Sequence, residues 1–177
     1  MRAFPNDSTI QVVRVKYGHL LGRGPEATAI GTLDTEAFNK SKAMELPRNI
    51  VIGHDALLAV GEVCQALKLG KKALIVADEN TIKIAGKTVE KELTGRKIRH
   101  SEYLIPDATW EEVRDGEERI RKGDFEFAIG VGGGRSIDVA KCASFNAGVP
   151  FVSVPTAASH DGVVSSRASI QKDGEKV

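Results

Sequence analysis

From Asn49 onward, short apolar runs alternate with stretches of helical periodicity, and that alternation limits the fold more than any single residue does. Asn49 to Ile52 reads as a short strand closed by Gly53. Asp55 to Leu67 carries Leu58, Val63 and Leu67 at helical spacing, with Gly70 placed as its C-cap. Ala73 to Ala77 is a continuous apolar run, the pattern of a strand buried on both faces. A helix capped by Asn80 or Thr81 is expected to run to about Leu93, followed by a strand over Ile98 to Leu104. Thr109-Trp110-Glu111-Glu112 spells a capping box, in which Glu112 reaches back to the cap, and the helix it opens is expected to end at Gly123. Phe125 to Val131 forms the next strand and runs straight into Gly132-Gly133-Gly134. A helix over Ser136 to Phe145, capped near Gly148, leads to a last strand at Phe151 to Val154. Strands and helices in this order imply right-handed crossovers and an α/β fold, a Rossmann-like parallel sheet with flanking helices.

The first 43 residues carry one β-like run, Ile10 to Tyr17, followed by a Gly/Pro-rich stretch. They read either as a leader or extension without catalytic content or as an extra edge strand. The nucleotide-binding pattern therefore occupies 44–177. The chain's 177 residues suit about one domain. Charge nearly cancels, at 25 basic and 24 acidic residues, so no basic excess points to nucleic acid. Aromatic residues at 5% are too sparse for a base-stacking platform. No apolar run reaches the length of a membrane span, and the first residues carry no apolar run of the kind expected in a signal peptide. Cys64 and Cys142 match no metal or redox spacing, which fits a reducing, cytoplasmic compartment.

Ligands of parallel sheets bind at the carboxyl ends of strands. Three loops leave such ends here, after Ala77, Val131 and Val154. In the second, three glycines let the backbone approach an anion, and the following helix offers its free N–H groups and positive dipole end. A pyrophosphate is the natural guest, although the segment is neither a P-loop nor the GxGxxG fingerprint. A tight turn that merely permits helix–sheet packing is the alternative. Asp138 could orient this loop or contact a cofactor. Asp78, opening the first loop, suits either a ribose hydroxyl or a helix cap, and its charge favours NAD over NADP. The third loop crowds hydroxyls with His160 and Asp161, but adjacent residues seldom ligate one metal ion. His19, His54 and His100 are scattered.

Three segments carry a family resemblance: Leu46 to Gly53, Val131-Gly-Gly-Gly-Arg-Ser-Ile-Asp-Val-Ala-Lys141, and Phe151 to Ser169 with its PTAASHDG and SSRAS runs. Through them Met44 to Val177 resembles the N-terminal half of the sn-glycerol-1-phosphate dehydrogenases. These form a branch of the superfamily of iron-containing alcohol dehydrogenases, glycerol dehydrogenases and dehydroquinate synthases. The resemblance implies NAD(P)H-dependent, zinc-assisted reduction of dihydroxyacetone phosphate to sn-glycerol 1-phosphate, the backbone of archaeal membrane phospholipids. It implies that Gly134, Arg135, Ser136, Ile137 and Asp138 hold the pyrophosphate. Thr156, Ala157, Ala158, Ser159 and Ser165 would contact the cofactor, Asp78 the ribose, and Asp161 the substrate. The zinc ligands of such enzymes, an Asp and two His, lie in a second, helical domain with no counterpart here. The chain is thus expected to be a fragment, silent and without stoichiometric zinc when alone. Lys172-Asp173-Gly174 reads as a hairpin turn. A homo-oligomer is compatible with this reading. The rival readings are a glycerol dehydrogenase or related polyol oxidoreductase, and a nucleotide-binding module without catalysis.

Overall fold

The computed structural model describes residues 7–13, 49–156, 168–172 and 175–176. Six strands form one sheet: β1 (Asp7–Val13), β2 (Asn49–His54), β3 (Lys72–Ala77), β4 (Arg99–Leu104), β5 (Phe127–Gly132) and β6 (Phe151–Pro155). Their order is β2-β1-β6-β5-β3-β4. Pairing is parallel between β3 and β4, β3 and β5, and β5 and β6. β1 runs antiparallel to both of its neighbours. β2 therefore points with the parallel strands, and β1 alone is reversed.

The helices are α1 (Val60–Ala66), α2 (Lys87–Gly95), α3 (Trp110–Lys122) and α4 (Gly134–Ala147). The continuous apolar run of β3 serves two layers, because successive side chains point to opposite faces. Ala73, Ile75 and Ala77 pack with Val60 and Cys64 of α1 and Val89 and Leu93 of α2. Leu74 and Val76 join Val113 and Ile120 of α3 and Ile137 and Ala140 of α4 on the other side. Two short strands, β7 (Gln171–Lys172) and β8 (Glu175–Lys176), pair antiparallel at the predicted hairpin, with Lys172 opposite Glu175. Among the described residues no helix is long and apolar enough to cross a membrane.

Several elements depart from the sequence expectation. The N-terminal strand forms at Asp7–Val13 rather than Ile10 to Tyr17, and residues 14–17 lie outside the described part. It sits inside the sheet and not at its edge, where it supplies ladder partners to both β2 and β6. The first helix is split into a 3-10 turn at Ala56–Ala59 and α1. The second opens with a π turn at Ile82–Gly86 before α2. α4 begins within the glycine run, two residues ahead of the expected Ser136.

Helix ends differ in part. α3 ends at Gly123 as expected, with Asp124 left-handed after it, whereas α1 closes short of Gly70, at Leu67 with Lys68 left-handed. Leu69 N–H bonds to the Cys64 carbonyl and Lys68 N–H to the Gln65 carbonyl, which is the Schellman pattern with Lys68 at the turn. Thr109 does cap α3, its hydroxyl accepting from Glu112 N–H at 3.3 Å. The Glu112 carboxylate does not reach back to it, because the Tyr103 hydroxyl at the end of β4 donates to Glu112 Oε2 instead.

Candidate functional site

β3 and β5 lie side by side, yet the chain leaves them in opposite directions. From β3 it passes through α2 on one face to β4; from β5 it passes through α4 on the other face to β6. The carboxyl ends of β3 and β5 thus flank a topological switch point, where a crevice opens in sheets of this kind. The third loop starts beside them, at the end of β6.

The β3 loop is built by Asp78. Its Oδ1 accepts from the N–H groups of Asn80 and Thr81, both at 2.9 Å, and its carbonyl accepts from Ile82 N–H. This is helix capping, one of the two roles the sequence allowed it. Thr81, which the sequence suggested only as a cap, crosses the crevice. Its hydroxyl donates to the Val131 carbonyl at 3.0 Å and accepts from Asp78 N–H at 3.1 Å. The signal was present as a Thr three residues after the Asp that follows a buried strand, but the partner on β5 is a long-range contact.

In the β5 loop, Gly132 adopts φ +144, and a Cβ there would stand 3.0 Å from the hydroxyls of Thr81 and Ser136. Its carbonyl accepts from Thr156 N–H at 3.0 Å, which ties the third loop to the second. Gly133 is the N-cap of α4, at φ −84 and ψ −168, a conformation open to any residue. Among the described residues nothing lies within 4 Å of where its Cβ would be. The first intrahelical bond runs from Ile137 N–H to the Gly133 carbonyl, so the N–H groups of Gly134, Arg135 and Ser136 stand outside the α4 ladder. No side chain caps this end and no acidic residue occupies its first turn.

Of the predicted pyrophosphate residues, Ser136 is fully buried, and among the described residues its Oγ has no hydrogen-bond partner. Arg135 is exposed and donates to the Pro106 carbonyl at 3.4 Å. The Ile137 side chain is part of the α3–α4 apolar layer. Asp138 is buried: Oδ2 accepts from Ser169 N–H at 3.0 Å, and Oδ1 pairs with Lys141 Nζ at 3.4 Å. It therefore fastens the chain that returns after the third loop. Thr156 is half-buried at the start of that loop. Ala157, Ala158, Ser159, His160, Asp161 and Ser165 lie outside the described residues.

An orphaned buried hydroxyl, an open position beside Gly133 and an uncapped helix start fit a dinucleotide pyrophosphate. No such fit exists for a metal: among the described residues no three His, Cys, Asp or Glu side chains come together. Thiol chemistry is disfavoured as well. Burial pushes the Cys64 thiol up to about 12, and burial together with Asp138 raises Cys142.

A family model described as iron-containing alcohol dehydrogenase matches residues 51–177. The chain is 47% identical over 142 residues to a glycerol-1-phosphate dehydrogenase [NAD(P)+] of Methanoregula boonei, covering 80% of this chain and 39% of that protein. It is 48% identical to the protein of the same description from Methanosphaerula palustris, covering 82% of this chain and 40% of the relative. It therefore spans about two fifths of the length of the curated relatives it matches. Among solved structures, glycerol dehydrogenase from Schizosaccharomyces pombe aligns with a TM-score of 0.59 at 25% identity, covering 68% of this chain and 31% of that one. An iron-containing alcohol dehydrogenase of Thermotoga maritima aligns with a TM-score of 0.59 at 22% identity, covering 68% and 40%, and shares the fold.

Proposed function

Because the chain belongs to the iron-containing alcohol dehydrogenase family, we propose that it is the dinucleotide-binding part of an NAD(P)-dependent glycerol-1-phosphate dehydrogenase. Such an enzyme reduces dihydroxyacetone phosphate to sn-glycerol 1-phosphate. Residues 44–177 form the nucleotide-binding domain, joined by β1 from the segment before it. The observation that carries the reading is Gly133: neither its backbone angle nor packing among the described residues demands a glycine there, while a bound phosphate would. The substrate rests on the identity to the two archaeal relatives.

The residues divide the work as follows. The N–H groups at the start of α4 and the Ser136 hydroxyl hold the pyrophosphate, and the helix dipole favours its charge. Asp78, already capping its helix, turns its carboxylate to the ribose hydroxyls and disfavours a 2′-phosphate. Thr156, Ala157, Ala158, Ser159 and Ser165 line the cofactor, and Asp161 bonds a substrate hydroxyl. Asp138 acts from behind the loop through Ser169 N–H. When bound, the reduced nicotinamide supplies hydride to the substrate's carbonyl carbon. The resemblance includes zinc, but the described residues assemble no site for it.

Fluorescence titration of the chain with NADH and NADPH tests the reading. Wild type should bind, NADH more tightly, and Gly133→Val should weaken binding at least tenfold, about 1.4 kcal/mol. Unchanged affinity in the folded variant would remove the phosphate assignment. Dihydroxyacetone phosphate and dihydroxyacetone, added to the NADH complex, separate the substrate readings: preference for the phosphate supports this one, and parity favours a glycerol dehydrogenase.

A further inference from the structure

We propose that Thr81 is a positioning residue whose hydroxyl joins the β3 and β5 loops into one rigid cradle across the switch point. The inference rests on the dinucleotide reading of those loops and adds the element that fixes them relative to each other.

Thr81 and Val131 are fifty residues apart in sequence, and their bond is buried. The hydroxyl lies 3.0 Å from the Val131 carbonyl and 3.4 Å from the Asp78 carbonyl, so its single proton goes to Val131, the nearer acceptor. Its oxygen meanwhile accepts from Asp78 N–H at 3.1 Å. One side-chain atom thus holds the peptide that carries Asp78 and the peptide that precedes Gly132. The second of these leads through Gly132 and Gly133 into the anion-facing start of α4. Thr81 is only 8% exposed, so water does not readily replace either partner.

Gly132 completes the joint. A Cβ at Gly132 would stand 3.0 Å from both the Thr81 and the Ser136 hydroxyls, closer than side chains ordinarily pack. The loop thus rests on Thr81 from the β3 side and on Ser136 from the α4 side. Any displacement of Thr81 shifts Gly132, and with it the direction in which the N–H groups of Gly134 to Ser136 point. Orientation within fractions of an ångström is what a preorganised anion site requires. A cap on the π turn alone would need neither the Val131 contact nor the burial.

Thr81→Val keeps the shape and removes both bonds; Thr81→Ser keeps the hydroxyl. In the free protein, amide hydrogen exchange at Asp78 and at Gly132 to Arg135 should rise tenfold or more in the valine variant and stay near wild type in the serine variant. The dissociation constant for NADH should rise at least fivefold with valine and stay within twofold with serine. Thr81→Ala, which removes the same hydroxyl with less bulk, is read identically and replaces the valine variant if that one does not fold. Faster exchange confined to Asp78, or a lowered melting temperature with unchanged NADH affinity, would overturn the joint. If exchange couples the two loops while wild type binds no dinucleotide, the joint stands and the dinucleotide reading fails.

Discussion

At Gly132 the backbone stands at φ +144 with two hydroxyls at 3.0 Å from a would-be Cβ, whereas at Gly133 it is extended and open. Adjacent glycines in one motif thus answer to different constraints. Gly132→Ala combines left-handed strain with overpacking, and should destabilise the fold by about 2 kcal/mol. Gly133→Ala should leave stability within about 0.5 kcal/mol, or raise it slightly by stiffening the unfolded chain. Urea melts of the two variants check the pair; comparable losses at both positions would mean the fold itself requires the run. Cys64 makes a second residue-scale expectation. Its thiol titrates at 9.0 in the unfolded reference and at about 12 when folded, because burial penalises the thiolate. Below pH 9 both states are protonated and stability is intact. Between the two values the unfolded chain loses a proton that the folded chain keeps, so stability falls as pH rises, by up to about 1.4 kcal/mol per pH unit. Tyr103 is raised by burial and by Glu112, and adds loss of the same sign at higher pH. Denaturant melts from pH 8 to 11 should therefore slope less steeply for Cys64→Ala than for wild type, and parallel slopes would contradict the assignment.

Helix ends show what an element inherits from its sequence and what it takes from the core. Glycine holds the left-handed turn itself after α4, where Gly148 sits at φ +76, and Gly123 marks the end of α3 one residue before the left-handed Asp124. After α1, α2 and α3 the left-handed position falls on Lys68, Lys97 and Asp124. In each case the next residue is apolar and packs inward: Leu69 and Ile98 are buried, and Phe125 is packed against the α3–α4 layer. Its N–H closes the Schellman bond to Cys64, Leu93 or Ile120. The apolar plug, rather than the nearest glycine, chooses where the helix stops. The end of α3 at Gly123 was legible, but that of α1 was not, because Gly70 lies close enough to look sufficient while the turn closes two residues earlier on Lys68. The capping box was legible at Thr109, since its bond is local, but not at Glu112, whose partner Tyr103 comes from another strand. The strained ends can be relieved. Lys68→Gly and Lys97→Gly should each stabilise the chain by about 0.5–1 kcal/mol, the left-handed strain removed exceeding the entropy that glycine adds to the unfolded state. Thermal melts should show the gains adding in the double variant; a loss at either site would mean that its lysine makes contacts outweighing the strain.

At the scale of the molecule, the order of strands and helices from Asn49 to Pro155 was readable because each parallel crossover leaves its own periodic trace. The same logic placed three candidate loops at one end of the sheet, and the structure sets the first two across a switch point. β1 escaped that logic. A single reversed strand has no crossover helix, and its pairing partners lie far along the chain, so nothing near Ile10 declares where it goes. Its position nevertheless has a large consequence. Among the described strands β2 pairs only with β1, through six residue pairs from Asp7–His54 to Val12–Asn49. β1 in turn joins β6 through Gln11–Ser153, Val12–Val152 and Val13–Phe151. Removing residues 1–13 would therefore detach β2 from the sheet and expose one full edge of β6. Ile50 and Ile52, already 46% and 73% exposed on β2, would then stand on a strand with no ladder at all. Unpaired edges of this kind template pairing with other chains. The truncated chain should lose at least about 2 kcal/mol of stability, a loss within the range of severe single-site changes, and should self-associate at concentrations where the complete one does not. Sedimentation and urea melts of the two proteins measure this directly. A truncated chain that stays monodisperse with an unchanged midpoint would mean that β1 is dispensable to the sheet, as part of a leader would be.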